Sequence, residues 1–407
     1  MSDAMNDTTY RPAVDWESSL VPEGITLDNW QSQPYLRWSF QHVADILPTA
    51  TISRGRGPVA HLPEAPTDLS AILVPGAPGG THRSVAEIIR DTETDGWMVL
   101  HQGRVLVEEY FGNMGPESSH LLMSVSKSLV GAVVGALTDS GAINPDQPLT
   151  AYVPALAETG YAGATVRQLL DMRSGIHFSE DYRDPNAEVR KLEEAIGWAT
   201  HTGPPAPTTM YGFLLTLKQK APHGGPFEYR SCETDMLGWI CEAATGMRMP
   251  ELMSQTLWAK LGAEADATIG IDSNGTGMFD GGINAGLRDM VRFGSLFLNG
   301  GTALTGEQIL APAWINDTFD GGHDSRAAFA ASPGDNRMPG GMYRNQMWFP
   351  YPDNNVTLCL GIHGQMIYIN RAADIIAAKL SSWPLPQDAT KLFPTVHAFD
   401  AIADAVV

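Results

Sequence analysis

At 407 residues the chain is too long for one simple core, and 43% apolar against 18% charged residues marks it as folded rather than disordered. A formal net charge of −20, seven lysines and no basic run argue against nucleic acid or an anionic membrane surface as partner. Three cysteines (Cys232, Cys241, Cys359) without a C-x-x-C pair suggest neither a disulfide framework nor a zinc site. The opening "MSDAMNDTTYRPAVDW" has no basic and apolar leader pattern, and no apolar run reaches the ~18 residues of a membrane span. A cytoplasmic location is expected.

In chain order, residues 1–90 are rich in Pro and Gly and predict an irregular, wrapping segment with short helical pieces. "WMVLHQGRVLVEEYF", Trp97 to Phe111, predicts a hairpin turning at Gln102-Gly103. From Val125 the apolar set Val125, Leu129, Ala132, Val133, Ala136, Leu137 has a helical period and stops at Gly141. Residues 156–335 read as mostly helical, with "TVRQLLDM", "YGFLLTLKQK", "TDMLGWICEAATG", "PELMSQTLWAKLG" and "LRDMVRFGSLFLNGG" as helix-like segments. The C-terminal part returns to short β-rich runs, "NQMWF", "VTLCLGI", "QMIYI" and "IIAAKLSSW", before a closing helix "TVHAFDAIADAVV". The expected class is α+β. An antiparallel sheet built from 91–155 and 336–407 is flanked by helices, 156–335 is inserted as a mostly helical lobe, and 1–90 wraps outside. A cleft between the lobes is the expected place for a site.

The start of the apolar helix, "LLMSVSKSLVGAVVGAL", carries Ser124 and Lys127 three residues apart, on one helical face. A serine hydroxyl attacks only when a base takes its proton, and a buried lysine serves if desolvation keeps it neutral. The same first turn offers unpaired backbone N–H groups, so the N–H of Ser124 could hold an oxyanion. The plain alternative is that Ser124 is a helix N-cap. Ser126 and Ser128 read as local hydrogen-bonding residues.

A second element, "FEYRSCETDMLGWICEAATG", places Tyr229 and Ser231 ahead of another helix. S-x-x-K followed about 100 residues later by Y-x-S resembles the serine hydrolases of the β-lactamase and D-alanyl-D-alanine-peptidase group. Within it, "EDYRDPNAEV", "LGIHGQ" and "KLSSWP" resemble the 6-aminohexanoate-dimer hydrolases, amide-cleaving enzymes of nylon oligomers. The resemblance implies that Ser124 attacks, that Lys127 and Tyr229 move protons, and that Ser231 holds the lysine or the substrate. The group's third signature, K-T-G, is missing, and "CLGIHGQ" stands in its place. The second oxyanion donor is then the N–H of Ile362 if Gly361 fills the glycine position, or of Gln365 if Gly364 does. Losing that lysine removes a cation that would hold the carboxylate of a penicillin or peptide. His363 is either a site residue or a turn residue. By the same resemblance Tyr182 lies on a loop over the substrate, followed by Glu193 and Trp198. Glu193 and Glu194 otherwise read as a solvated helix face.

The expected activity is a cofactor-free serine hydrolase of linear amides, with no metal, working on a small-molecule amide or ester through an acyl-enzyme. A promiscuous carboxylesterase and a non-catalytic binding protein are the alternatives, and the chain could pair as a homodimer.

Overall fold

The computed structural model describes residues 21–75, 81–201, 203, 206–332 and 337–407. The polar stretch at 1–16, read above for a leader pattern, lies outside the described residues. Thirteen strands are formed among the described residues. They are β1 (Thr49–Ile52), β2 (Leu73–Val74), β3 (Arg83–Ser84), β4 (Thr94–His101), β5 (Arg104–Tyr110), β6 (His120–Leu121), β7 (Ala267–Gly270), β8 (Ile283–Ala285), β9 (Met342–Arg344), β10 (Met347–Phe349), β11 (Val356–Gly361), β12 (Gln365–Asn370) and β13 (Ile375–Ser381).

Seven of them make one antiparallel sheet in the order β5-β4-β13-β12-β11-β10-β9, so both parts of the chain meet at the β4–β13 pair. Gln102 and Gly103 both take positive φ, the twist a two-residue hairpin requires. The central strands alternate cleanly between two cores. Met98, Leu100, Ile367, Ile369 and Ile376 join the larger one. Trp97, Val99, Met366, Tyr368 and Ile375 join the smaller one, which also takes Val85, Ile88, Phe399 and Ile402 from the helices Val85–Asp91 and Ala389–Val406. Both faces are covered, and this explains why these strands read as continuous apolar runs.

The helix Val125–Asp139 runs almost wholly inside the larger core. Each fully buried Val or Leu on it contributes about 1.5–3 kcal/mol. A side chain at Gly131 would stand 2.8 Å from the carbonyl oxygen of Asn345, so glycine is what lets the β9–β10 turn lie against this helix. Ser128 fastens the same contact by donating to the Gln346 carbonyl at 2.8 Å, and Ser126 Oγ accepts the N–H of Ile283 at 3.2 Å.

The middle segment is mostly helical but also holds β7 and β8, which pair and join β1 and β6 in a four-stranded sheet, β1-β7-β8-β6. One helix expectation is corrected. The helix in "YGFLLTLKQK" spans only Met210–Leu214. Lys218 and Lys220 leave the helix because their backbone bonds go to His177 and Gly175 instead.

Candidate active site

Strand β6 leads into the helix through Met123, which takes a positive φ of 46°. Such a conformation costs an unbranched residue about 1–2 kcal/mol. It turns the chain so sharply that Ser124 begins the helix facing the cleft. Ser124 stands at the N-cap position of this helix, but its side chain makes no capping bond. Its Oγ instead accepts a hydrogen bond from Lys127 Nζ at 3.0 Å.

Lys127 is buried, and its ammonium group is surrounded by acceptors. Nζ donates to Ser231 Oγ at 3.0 Å, to the Asp280 carbonyl at 2.8 Å and toward Asp280 Oδ2 at 3.3 Å. It also lies 5.2 Å from the centre of the Tyr229 ring. Burial alone would lower the lysine pKa. Nearby negative groups, chiefly Tyr229, Asp280 and Glu180, outweigh that burial and hold it above its usual value. The four acceptor atoms around Nζ likewise suit an ammonium ion rather than the expected neutral amine.

Tyr229 stacks on Trp348 at 5.3 Å between ring centres, and its hydroxyl meets Ser124 and Lys127. Burial raises its pKa, and the Lys127 charge offsets part of the rise. Glu180 accepts the Tyr182 hydroxyl at 2.8 Å and the N–H of Ser231. It thereby ties the loop above the cleft to the floor below it.

A cleft of about 830 Å³ opens over Ser124 and Tyr229, lined also by Tyr182, Trp348, Gly361 and Ile362. A second basin of about 420 Å³ continues past Tyr182 and Ile362 to Glu193, Trp198 and His363. Tyr182 and Ile362 border both. Gly361 packs so closely on the β6 turn that a side chain there would stand 2.5 Å from the Leu122 carbonyl oxygen. This approach sets Ile362 beside Ser124. Gln365 is buried in β12 and spends its side chain on Ser381 and the Ile362 carbonyl.

Glu193 is not a solvated face. It is buried and paired with Arg190 at 2.6 Å, with Gln31 closing from the N-terminal segment. Arg190 in turn covers the Tyr182 ring at 5.5 Å. Trp198 is buried edge-on to Trp30, with its indole N–H unpartnered. His363 proves to be both a turn residue and a lining residue. It has φ of 60°, its Nδ1 bonds the Trp383 carbonyl at 2.6 Å, and it borders the second basin.

Burial drives the His363 pKa down to about 4. In the unfolded chain it titrates near 6.5. The unfolded state therefore binds the proton first as pH falls, and stability is lost from about pH 6.5 down to about 4. The drop amounts to roughly 3 kcal/mol. His363→Asn keeps a donor and tolerates positive φ. Urea titrations at pH 7 and pH 4 are expected to show a loss smaller by about that amount in the variant.

Sequence reasoning missed Glu180, Asp235, Asp280 and Arg190. Glu180 alone had a local signal, two residues before Tyr182 in "SEDYRDP".

Known proteins share this sequence pattern and fold. Residues 85–400 fit the family model described as Beta-lactamase. The chain belongs to that family. It is similar to a 6-aminohexanoate-dimer hydrolase of Paenarthrobacter ureafaciens, 41% identical over 362 residues, which cover 89% of each chain. A solved structure from Bacillus anthracis, assigned to the 6-aminohexanoate-dimer hydrolases, superposes with a TM-score of 0.86 at 26% identity, covering 95% of this chain and 98% of that one. An octameric penicillin-binding protein homologue from Pyrococcus abyssi shares the fold at a TM-score of 0.58 and 16% identity, over 79% of this chain and 76% of its own. The expected α+β fold and serine-hydrolase class stand with the family. The family name describes a fold group rather than one reaction.

Proposed function

We propose that the chain hydrolyses linear amides of small ω-amino acids, the 6-aminohexanoate-dimer type, through an acyl-enzyme on Ser124. The observation that carries this is the 3.0 Å contact between Ser124 Oγ and the Lys127 ammonium under the cleft, with Tyr229 beside both. All three N–H bonds of Lys127 are directed at acceptors, so the proton of Ser124 goes to the Tyr229 oxygen. To take that proton Tyr229 must already be a phenolate, so the productive site has first lost one proton to solvent; the Lys127 ammonium supports the phenolate, which becomes a phenol on receiving the serine proton. Ser124 then attacks the carbonyl carbon. The N–H groups of Ser124 and Ile362 take the oxyanion, about 3 kcal/mol per donor. Tyr229 returns its proton to the leaving amine, and water repeats the cycle to release the acid.

Tyr182, Trp198 and His363 are assigned to substrate positioning around the two basins, and Ser231, which lines neither, to holding Lys127. Strand β11 ends in Leu360 and Gly361, which supply no cation for a carboxylate, so lactams and D-alanyl peptides are disfavoured. All three cysteines are buried and free, which supports a reducing compartment such as the cytoplasm.

The test compares short ω-amino amides with p-nitrophenyl esters. Turnover of linear amides, with a Ser124-linked acyl group seen by mass spectrometry, is expected. Turnover of esters alone would replace the reading with a carboxylesterase. Failure of a fluorophosphonate to label Ser124 in folded protein would replace it with a binding protein.

A further inference from the structure

Behind Lys127, away from the cleft, lie two buried carboxyl groups that the reaction above does not use as acid or base. Asp235 sits in the helix Ser231–Thr245. Its Oδ1 accepts the backbone N–H groups of Phe279 and Asp280, each at 3.1 Å, and so pins the loop that presents Asp280 to Lys127. Its Oδ2 is buried without a hydrogen-bond partner. Asp280 faces Lys127 with Oδ2, while its Oδ1 is likewise buried and unpartnered. The two carboxyl groups adjoin, and the Asp280 charge raises the proton affinity of Asp235.

Two carboxylates in contact inside a protein repel, and one lysine whose N–H groups are already spent cannot neutralise both. Two orphaned oxygens on adjoining carboxyl groups have one common remedy, a proton between them. We propose that Asp235 is a carboxylic acid whose Oδ2–H donates to Asp280 Oδ1, making the pair a positioning element that leaves Asp280 as the carboxylate bonded to Lys127. The groups facing it are Lys127 from the nucleophile helix, Asp280 from its loop and Tyr161 from the far side, with Glu180 and Tyr229 acting on the same lysine. Burial and the Asp280 charge both favour the protonated form of Asp235. With that proton in place, Lys127 and Asp280 balance each other.

The proton stands or falls apart from the enzyme's activity, whereas its consequence for rate rests on the Ser124 reading. Infrared spectra read it directly. Wild-type protein at pH 8 is expected to show a protonated-carboxyl band that Asp235→Asn lacks. The rate test follows charge. Asp235→Asn exchanges one neutral donor for another and is expected to leave the midpoint of the rising limb of the kcat/KM–pH profile in place. Asp280→Asn removes a true anion from Lys127 and is expected to move that midpoint down by at least one pH unit. Absence of the band in wild type, its survival in Asp235→Asn, or a midpoint shift in Asp235→Asn equal to that of Asp280→Asn would each overturn the proposal. If Asp235→Asn does not fold, the wild-type spectrum decides alone. If the band behaves as expected while no variant or wild type turns over amide, the proton stands and the amidase reading falls.

Discussion

Ser124→Ala is expected to lower kcat on linear amides by at least about four orders of magnitude, because it deletes the atom that forms the acyl-enzyme. The residual rate comes from binding and from the backbone N–H groups, which the substitution leaves in place. Such a loss usually raises the question of damage elsewhere. Here the structure answers it, since Ser124 makes no side-chain cap to its helix. The usual cost of about 1 kcal/mol for removing a capping serine does not arise. One buried hydrogen bond from Lys127 is lost, and the open cleft admits water to replace it. Stability is thus expected to stay within about 1 kcal/mol of wild type while activity vanishes. Denaturation midpoints, together with intact-mass spectra after incubation with a slow ester, check both halves. An acyl adduct on the alanine variant, or undiminished turnover, would remove Ser124 from the reaction.

The second large effect concerns Lys127, which carries both chemistry and stability. Lys127→Met is expected to abolish measurable amide turnover and to destabilise the fold by about 3–5 kcal/mol near neutral pH. The stability loss arises because Asp280 remains buried at 5% side-chain exposure without its cation. In the variant, burial without a counter-charge favours the protonated form of that carboxyl group. A carboxyl group shifted that way costs stability at high pH and costs less as it takes up a proton. The deficit is therefore expected to shrink as pH falls from 7 toward 5. Adding Asp280→Asn to the same chain is expected to recover most of the stability and none of the activity. Urea denaturation at both pH values, alongside single-turnover rates, separates the roles. A stability deficit independent of pH would mean that lost packing, not an orphaned charge, is responsible.

The parts of the site that were legible in the sequence are those encoded locally. Ser124 and Lys127 declare themselves by helical spacing at the head of an apolar helix, and Tyr229 and Ser231 by their place before another. The acidic surroundings of Lys127 were not legible. Glu180, Asp235 and Asp280 reach it from three separate segments, and no spacing rule joins them. The sequence alone therefore predicts a neutral lysine: its burial shows there, but its counter-charges do not. Glu193 was misread for a related reason. Helical periodicity places it on a polar face, yet Arg190 one turn earlier and Gln31 from the N-terminal segment close over it. The long strands of the large sheet were plain because both faces are buried. Strands β7 and β8, of four and three residues, are too short to show a period of their own.

The pairing of β4 with β13 at the middle of the large sheet has a consequence for the order of assembly in time. The nucleophile helix ends at Asp139, but β11, β12 and β13, which cover it or complete its sheet, are not finished until Ser381. At ribosomal rates of about 5–20 residues per second, that interval is on the order of tens of seconds. Throughout it, one of the most apolar segments of the protein lacks its cover. The growing chain thus has to be shielded or held in a loose state until its last hundred residues emerge. Loss of even the final strand would leave β4 with an open edge rather than a partly working enzyme.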